Sequence, residues 1–152
     1  MTDNYGQHMR SRRRILGISQ RALAERSGVK QPLIAAIESG RRAPSEAARA
    51  ALDQELAVRP SQALSAQRRE VLALVERAGL GTPRVFGSVA RGEDDESSDL
   101  DLVVEFTDDH DIVDLLALEH ALSELLTVPV DVVDARAAGR VMKHGDAEAV
   151  PL

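Results

Sequence analysis

The 152-residue chain has no cysteine and no tryptophan, and it holds only one tyrosine and two phenylalanines. Without cysteine there is no disulfide framework and no thiolate zinc site, and the composition suits a reducing compartment. With so few aromatics, any core has to be assembled from Ala, Leu, Val and Ile. No apolar run approaches the ~18 residues that a membrane-spanning helix needs, so no membrane partner is expected. The opening segment has no apolar stretch behind its basic residues, which does not read as a secretory leader. The expectation is a cytoplasmic protein. What the chain does contain is ordinary for a globular protein, 43% hydrophobic and 29% charged, with no internal repeat and no low-complexity tract.

The net charge of −6 hides a division. Residues 1–60 hold 11 Lys and Arg against 6 Asp and Glu, whereas residues 61–152 hold 8 against 19. A basic first part suits a polyanion such as DNA, and an acidic second part suits metal ions or a basic partner. Charge asymmetry alone would be weak ground, but the motifs divide at the same place.

Residues 1–9 read as a frayed tail. From Arg10 to Arg59 short helical patterns alternate with turn signals at Gly17, Gly28, Gly40 and Pro44. Arg59-Pro60-Ser61 reads as a linker, because Pro60 disfavours a helical residue before it. The expected domains are therefore 10–59 and 62–152. In the second, one helix is predicted over Ala63 to Ala78, with Leu64, Val71, Leu72, Leu74 and Val75 as its apolar stripe. A short strand Arg84 to Phe86 and an acidic loop Gly92 to Ser98 follow. Leu100 to Phe106 reads as a second strand and Val128 to Val133 as a third. Between them Asp111 to Thr127 is an amphipathic helix, with Ile112, Leu115, Leu116, Leu118, Leu122, Leu125 and Leu126 as its buried face. A last short helix over 136–144 and an edge strand over 149–152 complete the expectation. The fold class is thus two domains, all-α and then α/β with a small mixed sheet.

The stretch from Ile18 to Gly40 carries the first motif. Ser19 can cap a helix that buries Leu23 and Ala24, Gly28 allows a tight turn, and Val29 is the apolar plug of that turn. A second helix follows with Pro32 near its first position, where a missing N–H costs little. Ile34 and Ile37 face inward, and Gly40 ends it. Two short helices so joined make a helix-turn-helix, whose second helix enters the major groove. Over residues 10–58 the sequence resembles the Xre and phage-repressor family. By that resemblance Gln20 bonds a phosphate, Gln31 opens the recognition helix and reaches a base edge, and Lys30, Arg41 and Arg42 hold the backbone. Pro32 and Ala36 stand where related repressors often carry polar base readers, which leaves them apolar contacts to thymine methyls. A helical docking or dimerisation module would share the fold. The capped helix, the glycine turn and the flanking arginines together favour DNA.

The second motif runs from Phe86 to Asp101: Gly87-Ser88, ten residues, then Asp99-Leu100-Asp101. Gly87 leaves room for a phosphate to approach the backbone. Ser88 offers a hydroxyl and an N–H at an expected helix start. Asp99 and Asp101 stand two apart on a strand, so both carboxylates point to one face, and hard oxygen ligands suit Mg²⁺ with a nucleoside triphosphate. A third carboxylate from a neighbouring strand would complete a two-metal site and take the proton of an attacking hydroxyl. Asp131 is the first choice, Asp134 the second. Glu93 to Glu96 reads as a solvated acidic loop, and His110, His120 and His144 as structural or exposed.

This segment, over residues 80–135, resembles the minimal nucleotidyltransferases of the polymerase-beta superfamily. The resemblance implies that Gly87 and Ser88 bind the triphosphate of ATP, that Arg91 steadies a phosphate, and that Asp99, Asp101 and Asp131 are the catalytic, Mg²⁺-binding carboxylates. It also implies a partner, since such proteins are commonly antitoxins that transfer AMP to a tyrosine of a HEPN-domain RNase toxin. A fused repressor domain would then read the operator DNA of its own operon, as a homodimer or in a hetero-oligomer with the toxin. Two other classes stay open. One is a regulator that neutralises its toxin by binding alone. The other is a small-molecule nucleotidyltransferase, disfavoured because only about twenty residues follow Asp131.

Overall fold

The computed structural model describes residues 4–137 and 149–152. The chain divides into two compact units, Met1–Val58 and Arg59–Leu152.

The first unit is built from four helices: α1 (Tyr5–Ile15), α2 (Gln20–Ser27), α3 (Gln31–Glu38) and α4 (Glu46–Glu55). Ser19 and Ser45 cap α2 and α4, each hydroxyl accepting a backbone N–H three residues on. Gly28 ends α2 at φ +73°, a left-handed conformation that favours glycine. Met9, Leu23, Ile34, Ile37, Leu52 and Leu56 form the core, with Tyr5, Ile18, Val29 and Leu33 packed against them. The expected tail is therefore corrected for residues 5–9, which are the first half of α1. Met9 is 2% exposed, and the Tyr5 hydroxyl donates to Asp53 Oδ1 at 3.0 Å, so packing fixes what local sequence left open. Gly6 lies so close to the Ile37 carbonyl that a Cβ there would collide with it.

A charged pair sits inside this unit. Arg13 Nε donates to Glu38 Oε1 at 2.6 Å and Arg13 Nη2 to Oε2 at 3.1 Å, with only 13% and 5% of the two side chains exposed. Burial pushes the Glu38 carboxyl up, but hydrogen bonds from Arg13 and Gln20 and the charges of Arg13 and Arg10 outweigh it and hold the group below its ordinary value.

The second unit opens with α5 (Pro60–Ala66) and α6 (Arg68–Arg77), where one helix was expected. Pro60 occupies the first turn of α5, and the Gln62 side chain accepts the Arg59 N–H, so the helix begins inside the anticipated linker. A straight helix would carry Ala63 roughly a quarter-turn off the line through Leu64, Val71 and Val75. The break at Gln67 (φ −114°, ψ 18°) lets all four be buried.

Then come β1 (Arg84–Phe86), α7 (Gly87–Arg91), β2 (Leu100–Val104), α8 (Ile112–Leu126), β3 (Val130–Asp134) and β4 (Val150–Pro151). The sheet is mixed, in the order β3-β2-β1-β4. β1 pairs antiparallel with β2 and β4, and β2 pairs parallel with β3. Val85, Leu102, Val130 and Val132 are buried together with Val71, Val75, Leu118 and Leu122. The edge strand β3 does not leave its outer N–H groups bare, because Ser123 Oγ and Glu119 Oε1 of α8 accept from Val130 and Val132 at 3.1 and 3.0 Å. The expected face of α8 is corrected in part. Leu118, Leu122 and Leu126 are buried, but Ile112 and Leu116 are 65% and 55% exposed, since at about 100° per residue they lie roughly 80° and 120° around the helix from Leu122. Residues 138–144 of the expected last helix, and His144, lie outside the described residues.

Breaking a buried ion pair by truncating one partner strands the other charge. Arg13→Ala is therefore expected to destabilise the first unit by roughly 3 kcal/mol, read as a lowered midpoint in urea denaturation. The folded-state value of Glu38 is depressed, so its contribution to stability is present above the ordinary carboxylate range and is lost as pH falls through the depressed value. Arg13→Ala should flatten that acid limb, and an unchanged midpoint and limb would contradict the assignment.

Candidate active site and DNA-contacting face

Strand register assembles the acidic motif. Asp101 lies opposite Asp131 in the parallel β2–β3 pair, and opposite Phe86 in the antiparallel β1–β2 pair. Side chains opposite one another share a face of the sheet. Asp99, expected on the strand with Asp101, instead lies just before the start of β2, though its charge still acts on Asp101. The small apolar cluster of Val103, Phe86, Val133 and Ala135 shares the face of Asp101 and Asp131. Gly87 follows β1 directly with φ +70°, and a Cβ there would collide with Asp101 Oδ2. The backbone angle favours glycine at this point, and a larger residue would also have to displace the Asp101 carboxylate. Ser88 is the second residue of α7, a single helical turn that closes at Gly92.

Electrostatics reports the same convergence. The Asp101 carboxyl is raised above its ordinary value, first by burial, then by the charges of Asp131 and Asp99, with Arg91 opposing them. Arg91, at the end of α7, also donates to Glu93 Oε2 at 2.8 Å. Among the described residues no three His, Cys, Asp or Glu side chains stand together closely enough to hold a metal ion without adjustment. The donor chemistry nevertheless suits a hard divalent cation: Asp101 and Asp131 share one face, and Asp101 is raised by burial and then by the charges of Asp131 and Asp99.

Asp134 is settled by strand parity and by its bonds. It lies on the opposite face from Asp131, accepts the Phe106 and Arg136 N–H groups at 3.4 and 3.0 Å, and pairs with the Arg136 guanidinium at 3.1 Å. The acidic loop is more than solvated charge. Asp94 is 7% exposed and its Oδ2 accepts the Ser61 N–H at 2.8 Å, tying the loop to the start of α5. Asp95 accepts from Ser97 and Ser98, which holds its carboxyl below the ordinary value. His110 is structural: its Nδ1 accepts the Thr107 N–H at 3.4 Å, so Nε2 donates to the Ala78 carbonyl at 2.8 Å.

In the first unit Gln31 and Pro32 are exposed at the start of α3, with Lys30 as its N-cap. The Arg41 and Arg42 N–H groups both donate to the Ala36 carbonyl, at 2.9 and 3.2 Å. This return places two exposed guanidinium-bearing residues beside the end of α3. Ala36 is half-buried. In the free chain Gln20 is turned inward. Its Nε2 donates to Glu38 Oε2 and its Oε1 accepts from Gln31 Nε2, both at 2.9 Å. It thus steers Gln31 and is itself steered by the buried Arg13–Glu38 pair, a chain of bonds that sequence reasoning missed. An acid closing the otherwise apolar helix α3 was the available signal, but its partner was indistinguishable among Arg12, Arg13 and Arg14.

Comparison with known proteins agrees with this layout. The family described as polymerase beta, nucleotidyltransferase matches residues 81–146, and a helix-turn-helix family matches residues 9–60. Protein adenylyltransferase MntA of Thermococcus cleftensis is 40% identical over 70 residues, covering 46% of this chain and 68% of that protein. A protein of Methanocaldococcus jannaschii, named provisionally as a protein adenylyltransferase, is 36% identical over 66 residues, 43% of this chain and 71% of its own. A solved structure described provisionally as a minimal nucleotidyltransferase shares 46% identity at a TM-score of 0.54, covering 60% of this chain and 95% of that one.

The raised Asp101 carboxyl gives a direct test. A carboxyl raised in the folded state contributes stability at low pH that is lost as pH rises through the folded value. Asp131→Asn removes one of the repelling charges, so the Asp101 titration followed by carboxyl ¹³C NMR should move down toward its ordinary value. An unmoved titration would mean that the two carboxylates do not share a site.

Proposed function

Because the chain belongs to the polymerase-beta nucleotidyltransferases in their minimal form, preceded by a helix-turn-helix unit, we propose that it is an antitoxin that transfers AMP from ATP to a tyrosine of a HEPN-type RNase toxin and represses its own operon. The observation that carries the catalytic half is the register of Asp101 with Asp131 beside Gly87.

In this reading Asp99, Asp101 and Asp131 hold Mg²⁺, which when bound offsets the charge of the triphosphate and polarises it. Gly87 lets the phosphates come close to the backbone, Ser88 offers its hydroxyl and N–H to them, and Arg91 supplies a positive charge beside the acids. Asp131, the member of the trio on the edge strand, accepts the proton of the attacking tyrosine hydroxyl at a carboxylate oxygen. The hydroxyl oxygen then bonds to the α-phosphorus as the bond to pyrophosphate breaks. A bound cation would offset the repulsion between these acids and a polyanionic substrate.

In the DNA-reading half, Lys30, Arg41 and Arg42 bind phosphates, Gln31 reads a base edge, and Pro32 and Ala36 meet thymine methyls. Gln20 contributes by aiming Gln31. A dimer on a palindromic operator follows from the symmetry that such half-sites impose.

Incubation of the HEPN-type partner with this protein, ATP and Mg²⁺ should raise the partner's intact mass in steps of one AMP. The Asp99→Ala, Asp101→Ala double variant should give no gain while operator binding stays intact. No gain with ATP, CTP, GTP or UTP, on a partner that binds the chain, would replace this reading with neutralisation by binding alone. On operator DNA, Gln31→Ala is expected to cost about 1–3 kcal/mol at a single base pair. Arg41→Ala should weaken binding evenly across sequences and lower the salt slope by about one. Losses with the opposite pattern would put the recognition face elsewhere.

A further inference from the structure

Residues 92–135 contain fifteen Asp and Glu and no Lys or Arg. Asp99, Asp101 and Asp131 account for three. Another group collects around the start of α8, where Asp109, Asp111 and Asp114 surround three large apolar side chains left in solvent. Ile112, Val113 and Leu116 are 65%, 66% and 55% exposed. Helical periodicity puts Val113 next to Ala117. Ala117 in turn lines a cleft of about 400 Å³, together with Leu74, Phe106 and Leu118 and with Asp109 and Asp114. The exposed apolar patch therefore runs into a partly apolar cleft whose charged lining is carboxylate, and the guanidinium of Arg136 beside the preceding loop is already paired with Asp108 and Asp134.

Contiguous exposed apolar surface of this kind marks an interaction site, and the charges select what fits it. The same face of a second copy would bring carboxylates against carboxylates, which costs several kcal/mol in a typical interface. A neutral partner would bury those carboxylates without counter-charge. We propose that the first two turns of α8 are the docking site for the protein acceptor, and that the acceptor presents an amphipathic helix whose apolar stripe is flanked by Lys and Arg. Such a helix lays its stripe along Ile112, Val113 and Leu116, seats a side chain in the cleft, and pairs its cations with Asp109, Asp111 and Asp114. Asp101 stands near the start of β2, whereas α8 begins beyond the end of that strand. The patch and the acids thus lie toward opposite ends of the strands. Docking there holds an acceptor without touching the reacting atoms, so it governs affinity and leaves the chemical step alone. The role as acceptor site rests on the reading that the chain modifies a protein; the chemistry of the surface does not.

Two readouts on the full chain separate these claims. The first is the affinity for a Leu/Lys amphipathic helical peptide, measured by calorimetry on wild type and on the Val113→Lys, Leu116→Lys double variant. Both positions are exposed, and circular dichroism verifies the fold. The variant should bind at least about tenfold more weakly, and a Leu/Glu peptide should not bind wild type. Equal affinity of the two chains would overturn the site. So would a wild-type dimer, seen by sedimentation, that the variant abolishes, since the patch would then belong to a second copy. The second readout is AMP transfer to the HEPN-type partner. The variant should raise KM for the partner by a similar factor while kcat and KM for ATP stay unchanged. An unchanged KM for the partner would overturn the acceptor role. Absence of transfer by wild type, with peptide binding retained and patch-dependent, would sink the transferase reading and leave the docking surface standing.

Discussion

Asp101 and Asp131 share one face of a four-stranded sheet, with the charge of Asp99 acting on Asp101 from just before the strand, and these carboxylates repel one another. Much of the second unit serves to keep the pair there. Parallel pairing of β2 with β3 fixes Asp131 opposite Asp101. The antiparallel pairing of β1 fixes Phe86 on the other side, so that Gly87 turns away directly over Asp101. Glu119 and Ser123 bind the outer edge of β3, which prevents a slip of register that would send Asp131 to the opposite face. The cost shows in the raised Asp101 carboxyl. Compensation comes from the other face of the sheet, where Val85, Leu102, Val130 and Val132 are buried.

The first unit depends on a buried charge of its own, used differently. The Arg13–Glu38 pair is nearly out of solvent, and a pair so placed contributes more to definition of geometry than to net stability. Here the geometry it defines reaches the surface, because Glu38 holds Gln20 and Gln20 holds Gln31. The basic first unit thus carries a buried ion pair whose bonds reach the surface, and the acidic second unit carries carboxylates that repel one another.

What was legible in the sequence was whatever is local. The Ser19 cap, the Gly28 turn and the spacing from Gly87-Ser88 to Asp99 and Asp101 depend on neighbours within one or two elements, and the structure has them where they were expected. Non-local choices were open or missed. Asp131 and Asp134 differ only in strand parity and partners, and Arg136, which engages Asp134, gave no sign of that role. Asp94 looked like one of four equivalent loop acids until its bond to Ser61 was visible. Tyr5 to Met9 looked like a tail because the residues that bury them come from α3 and α4. The apolar periodicity of α8 was read too broadly, because Leu118, Leu122 and Leu126 are buried whereas Ile112 and Leu116 are exposed, and apolar residue type alone does not show which side chains the sheet covers.

The central claim is that the acidic face performs nucleotidyl transfer, and the position of the transferred phosphorus tests it most directly. With Mg²⁺ and the HEPN-type partner, label from ATP radioactive at the α-phosphate should become covalently attached to the partner, while label at the γ-phosphate should leave as pyrophosphate. Labelling from the γ-phosphate, or from neither, would contradict the account.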